Sequence, residues 1–294
     1  ERVWVSGFSG GARAAGSIAM VYPEITGVIA CGAGFANDDE ISNEKLRYYA
    51  AIVGERDMNY SELLDNSNYL DEKMVNNILL TFNGEHTWAP AQQFGLAVEW
   101  LLSSRAETST AGTNRGALFM QSVYAKLDSG FLYPAWMDAQ QLGKIPSYKK
   151  VSDILRAEIE SRKQFREDRE KFRKVIAEEQ NCMNDFSLAF TNMSSKNEMP
   201  EDYLWRQKAR DIADMKEGKN RYRQIAAERC FDHCKRTCQE YYFQFFSEGK
   251  YKTAYYAARI LSLITPENPQ SYYLMARSEA ASGNKKECKK LVGE

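Results

Sequence analysis

Four short apolar runs punctuate the first hundred residues: Arg2–Ser6 (RVWVS), Gly27–Cys31 (GVIAC), Tyr48–Gly54 (YYAAIVG) and Asn77–Phe82 (NILLTF). Each is four to eight residues long, lacks strict polar alternation and is bounded by polar residues or glycine. Runs of this kind read as strands covered on both faces, as in a parallel sheet. Helical patterns lie between them at Ala12–Val21 and Asp65–Val75, and an amphipathic helix follows at Ala89–Ser103. Alternation of strands and helices predicts an α/β fold, a doubly wound parallel sheet joined by right-handed crossovers.

The pattern changes near residue 104. Ser104–Gly116 (SRAETSTAGTNRG) is small and polar, and it reads as a linker. Beyond it no convincing strand appears. Long charged amphipathic stretches follow at Val151–Glu179, Met199–Met215 and Arg221–Ser247. The expected organisation is therefore an α/β part over 1–104, a linker over 105–116 and an all-α part over 117–294. Charge divides the same way. Residues 1–104 hold 6 Lys/Arg against 14 Asp/Glu, and the remainder holds 33 against 26. The basic excess of the second part is dispersed among acids, which suits a solvated helical surface and not a nucleic-acid site. A hydrophobic content of 44% with 27% charged residues is globular and not disordered. No apolar run reaches the ~20 residues of a membrane span, and no secretory signal is visible.

The residues with the clearest chemical meaning sit at the end of the first strand. Gly7-Phe8-Ser9-Gly10-Gly11 fits G-x-S-x-G between a strand and a helix, the setting of a nucleophile elbow. In such a turn the serine takes strained dihedrals, and glycines two residues before and after it relieve crowding. The backbone N–H of Gly10 then faces the site where an oxyanion forms. Asp57 lies just beyond the third apolar run, in IVGERDMNY. His86, one of only two histidines, lies just beyond the fourth, in LLTFNGEHTW. The order Ser, Asp, His is that of α/β-hydrolases. The expected roles are Ser9 as nucleophile, His86 as general base and then acid, and Asp57 as orienting acid. An ordinary Gly-rich turn that binds phosphate and a loop histidine without a role are the plainer readings.

Over residues 1–103 these motifs, with GERD after one strand and GEH after the next, resemble bacterial esterases of the α/β-hydrolase superfamily. The likeness is to dienelactone-hydrolase-like and polyester-depolymerase-like enzymes. It implies a partial sheet of the α/β-hydrolase type, because members of the superfamily place several strands before the elbow and here the elbow strand comes first. It also implies that the second oxyanion donor comes from a loop after an earlier strand. The chain is accordingly expected to hold the C-terminal part of a hydrolase domain, incomplete as an enzyme without residues upstream of Glu1.

The C-terminal segment resembles the tetratricopeptide repeat over 235–291. Gly249, Tyr251, Ala254 and Pro266 fall at spacings like those of the repeat, and Gly283 and Cys288 follow Gly249 and Ala254 by 34 residues. The signature tryptophan is absent. The all-α part is thus expected to end in TPR-like helix pairs, with Ala254 and Cys288 buried and the two glycines at turns. Upstream, Cys230, Cys234 and Cys238 share a helix face near His233. Small core residues explain that face better than a metal site, and Cys182 could pair with one of them in an oxidising compartment. The aromatic cluster Phe131–Asp138 (FLYPAWMD) reads as packing, with an active-site rim as the alternative.

Together these features predict a serine hydrolase that cleaves small-molecule or polymeric carboxylic esters through an acyl-enzyme, with no cofactor, no metal, no nucleic-acid partner and a protein partner for the helical repeats. The alternatives are a scaffold that uses the repeats alone and a serine peptidase of the same superfamily. The compartment stays open; an upstream signal peptide would place the protein outside the cytoplasm or in a periplasm.

Overall fold

The computed structural model describes residues 3–36, 41–42, 44–103, 114–196 and 201–293. Four parallel strands, β1 (Val3–Phe8), β2 (Ile25–Cys31), β3 (Tyr48–Gly54) and β4 (Asn76–Phe82), form one sheet in the order β1-β2-β3-β4. Three helices accompany them: α1 (Gly10–Val21), α2 (Tyr60–Glu72) and α3 (Ala91–Ser103). Of the expected linker, residues 104–113 lie outside the described residues, and α4 (Asn114–Asp128) begins at its end. α5 (Leu132–Leu142) and α6 (Lys149–Ser161) follow.

Side chains alternate across a strand, and the two faces of this sheet are both apolar. One face presents Ile29 and Cys31, Ala50 and Ile52, and Ile78, Leu80 and Phe82 to Leu96, Trp100 and Leu101 of α3, with Phe119 of α4 and Leu142 of α5 joining them. α1 packs against β1 and β2, and α2 against β3 and β4. Burial on both faces is why the strands read as continuous apolar runs.

β4 is an edge strand, and α5 packs along it. Gln141 Oε1 accepts the Leu79 backbone N–H at 3.0 Å. Thr81 Oγ1 donates to Asp138 at 3.0 Å. Lys126 of α4 completes the cluster: its buried ammonium donates to Thr81 Oγ1 at 2.8 Å, meets Glu55 at 2.9 Å and pairs with Asp138. Burial works against that charge, but Asp138 and Glu55 outweigh it and hold the Lys126 pKa above the ordinary lysine value.

The chain divides into two compact units, Glu1–Lys174 and Val175–Glu294. The division differs from the boundary expected near residue 104. Helices α4 to α6 belong with the sheet, because α4 and α5 satisfy polar groups of its edge and fill its core. The aromatic cluster expected as packing does pack: Tyr133 stacks on Trp136 at 5.8 Å and contacts Phe165 and Phe172. The charged stretch Val151–Glu179, expected as one pattern, breaks between Ser161 and Phe165, where α7 (Phe165–Lys196) begins.

The second unit holds the C-terminal part of α7 with α8 (Asp202–Glu217), α9 (Arg221–Ser247), α10 (Tyr251–Ile264), α11 (Pro269–Ala281) and α12 (Lys285–Val292). Phe186, Phe190 and Trp205 form its aromatic centre. Arg229 and Glu179 pair there with side chains almost wholly buried. Consecutive helices pack from α9 to α12. Gly249 and Gly283, at the turns before α10 and α12, have φ of 73° and 81°, a conformation glycine adopts without steric cost. Ala254 is fully buried, whereas Cys288 is only half covered; α12 packs chiefly on α11. Among the described residues no helix is long and apolar enough to cross a membrane.

Candidate active site

The C-terminal ends of the parallel strands bring the sequence-predicted residues together. Ser9 follows β1 directly, and its backbone N–H still bonds the Cys31 carbonyl of β2 at 2.9 Å. Its φ of 54° and ψ of −123° are outside the regions favoured by L-residues. Of the two elbow glycines, Gly7 is the one that close approach demands. A Cβ there would stand 2.1 Å from the Gly11 carbonyl oxygen, whereas a Cβ on Gly11 would meet nothing within 4 Å. The crowding that glycine relieves is therefore between the Gly7 side-chain position and the Gly11 backbone. Gly10 opens α1, so its N–H is among the first helical donors, which have no intrahelical acceptor.

Asp57 and His86 stand on adjacent loops, after β3 and after β4, and backbone bonds stitch those loops together. Glu55 N–H donates to the Phe82 carbonyl and Arg56 N–H to the Gly84 carbonyl, each at 2.8 Å. Arg56 also reaches Asn83 Oδ1 at 2.8 Å. Gly54 permits the approach: a Cβ there would lie 2.4 Å from the Gly84 carbonyl oxygen.

The three side chains form one relay. Ser9 Oγ lies 3.0 Å from His86 Nε2. His86 Nδ1 lies 2.9 and 3.0 Å from the two Asp57 oxygens, on the opposite side of the ring. Asp57 is fully buried and His86 is 7% exposed. The network fixes the tautomer: Nδ1–H donates to Asp57, and Nε2 accepts from the Ser9 hydroxyl. Chemically, such an arrangement can take the serine proton as Oγ attacks and keep the resulting imidazolium beside a carboxylate. Phe8 covers the imidazole, its ring centroid 4.7 Å away, and the exposed Trp88 lies 5.4 Å from Phe8.

Below the serine, burial pushes the Cys31 thiol up to about 11 from an ordinary 9.0, a backbone contact at Ala89 offsetting part of that rise. On the other side of α1, Arg13 binds both oxygens of Glu62 in α2 at 2.7 and 2.8 Å and the Phe35 carbonyl at 2.8 Å. The sequence carried no local signal for this brace, which joins residues 49 positions apart.

The cysteine face has gone to the core. Cys230, Cys234 and Cys238 are fully buried, and burial raises the pKa of Cys234 and Cys238. The Cys230 thiol donates to the Glu179 carbonyl at 3.9 Å, and its interaction with the neighbouring Cys182 sulfur lowers the Cys182 pKa and raises that of Cys230. His233 meets Ser187 at 3.0 Å. Among the described residues no group of three His, Cys, Asp or Glu side chains is placed to hold a metal ion. Comparison with family models, curated proteins and solved structures finds no match to this chain.

Proposed function

We propose that the first unit is a serine hydrolase of the α/β-hydrolase type that cleaves carboxylic esters through an acyl-Ser9 intermediate. The observation that carries this reading is the continuous relay Ser9–His86–Asp57, set on a strained strand-to-helix turn at the C-terminal ends of parallel strands. Ser9 attacks the ester carbonyl and His86 takes its proton. The Gly10 N–H supports the oxyanion, and His86 returns the proton to the departing alkoxide. Water then repeats the sequence on the acyl-enzyme.

We infer a TPR-like ending for the second unit, used to bind a protein partner. Its support is the pair of left-handed glycine turns at 249 and 283, one repeat length apart, with Ala254 buried between helices.

The test is labelling of the purified full-length protein with a fluorophosphonate, alongside Ser9→Ala, together with hydrolysis of 4-nitrophenyl acetate and of a peptide substrate. Ser9-dependent labelling and ester turnover support the hydrolase. Turnover of the peptide in place of the ester moves the assignment to a peptidase. Neither labelling nor turnover moves it to a binding protein built on the helical unit.

A further inference from the structure

The turn after β2, Gly32 to Phe35, lies between the relay and α2, and three residues fasten it to α2. Asn59 Nδ2 donates to the Gly32 carbonyl at 2.6 Å. Glu62 Oε1 accepts the Gly34 N–H at 2.9 Å, and Asn66 Oδ1 accepts the Phe35 N–H at 3.4 Å. Positions 59, 62 and 66 fall on one helical face.

On its other side the turn touches the acid and the base. Gly32 has a φ of 65°, and a Cβ there would stand 2.9 Å from the Phe8 ring, 3.1 Å from Asp57 Oδ2 and 3.3 Å from His86 Cε1. Gly32 thus faces both Asp57 and His86 across a gap too narrow for a methyl group. Asn59 reaches the acid a second way, because its backbone N–H donates to Asp57 Oδ1 at 2.9 Å.

Asn59 is also the N-cap residue of α2, and asparagine at that position ordinarily bonds a backbone N–H of the first turn. Here the side chain makes no cap bond. Its amide is turned away from the helix and given to Gly32. The cap bond it forgoes is replaced by a contact to the turn that faces Asp57 and His86.

We propose that Asn59 is a positioning residue for the Asp57–His86 pair, holding the Gly32 turn against both side chains. The inference rests on the hydrolase reading and deepens it by naming what keeps the imidazole aligned between Asp57 and Ser9.

The test compares Asn59→Ala and Asn59→Asp with wild type and with Asn66→Ala. Asn59→Asp keeps size and shape but has no donor, so it serves if the alanine variant does not fold. The first readout is the downfield proton resonance of His86 Nδ1–H, recorded without substrate. The second is ester hydrolysis resolved into kcat and KM. Expected for both Asn59 variants are loss or broadening of the resonance and a kcat about 10–100-fold lower at nearly unchanged KM, the scale of a misaligned catalytic group. Asn66→Ala, at the far end of the turn, should lower the melting temperature and leave the resonance in place, which a merely structural role for Asn59 would not distinguish. Folded Asn59 variants with wild-type resonance and kcat overturn the positioning role alone, with Ser9 still labelled. A full-length wild-type protein unlabelled at Ser9 overturns the hydrolase reading, and this inference with it.

Discussion

Ser9 and His86, 77 positions apart in sequence, meet at 3.0 Å, and the serine reaches that contact from a φ of 54°. Backbone strain of this kind costs on the order of 1–3 kcal/mol. Ser9→Gly should therefore raise stability by about 1 kcal/mol, since glycine relieves the strain but loses more chain entropy on folding. The same substitution should abolish fluorophosphonate labelling. Urea denaturation and labelling of one preparation check both halves, and a destabilised Ser9→Gly would remove the claim of strain.

The acid should be separable from the base by isosteric replacement. Asp57→Asn keeps the shape but disfavours the tautomer that presents Nε2 to Ser9. A fall in kcat of roughly 10⁴ is expected, the scale of such a change in serine hydrolases, with the melting temperature little altered. A loss below about tenfold would show that Asp57 does not orient the imidazole.

The two elbow glycines should behave differently. Gly7→Ala places a methyl group 2.1 Å from the Gly11 carbonyl, and only backbone movement can relieve that clash. A loss of about 3 kcal/mol or more is expected, at the upper end of overpacking effects. Gly11→Ala enters open space inside a helix and should stabilise by about 0.5–1 kcal/mol. Thermal unfolding of the two variants checks the contrast, and equal effects would contradict it.

The buried ammonium of Lys126 should matter to the first unit more than its distance from Ser9 in sequence suggests. Lys126→Met leaves Asp138 buried beside Glu55 with no counter-charge. A loss of about 3–5 kcal/mol is expected, as for breaking one side of a buried ion pair. Replacing Asp138 by Leu and Thr81 by Val in the same background should recover much of it. Denaturant titration of the single and triple variants measures the difference, and no recovery would place the cost elsewhere.

Cys31 makes a prediction about pH. Its thiol is raised to about 11 in the fold from an ordinary 9.0, so the folded state holds its proton more tightly than the unfolded chain. The associated stability is fully present below pH 9 and is lost as pH rises through about 11. A shift of that size corresponds to roughly 2–3 kcal/mol. The stability gap between wild type and Cys31→Ala should shrink over that interval. A gap that stays constant from pH 8 to 11 would mean that Cys31 ionises without cost in the fold.

Much of this molecule is legible in its sequence because the deciding interactions are local. The runs at Tyr48–Gly54 and Arg221–Ser247 coincide with β3 and α9, since apolar continuity in one and helical periodicity in the other leave little for distant contacts to change. The strand-to-helix turn at Ser9 is legible for a related reason: small residues within five positions admit a tight turn that bulkier side chains would block. Ser9, Asp57 and His86 were each readable as strand-end residues. Their meeting needed the parallel register that sets β1 through β4 side by side, and the bonds between the loops at 54–57 and 82–86. What only the tertiary structure decided depends on pairs far apart in the chain. Helices α4 and α5 join the sheet because Lys126, Asp138 and Gln141 satisfy polar groups on β4 and its neighbouring loop, α6 follows by packing on α5, and no composition shift marks that. Asn59 sits at the N-cap position of α2, ahead of the helix expected from sequence at Asp65. Its side chain serves Gly32 instead, because the fold brings a carbonyl 27 positions away within 2.6 Å, and a hydrogen bond of that kind has no signature until the chain has closed around it.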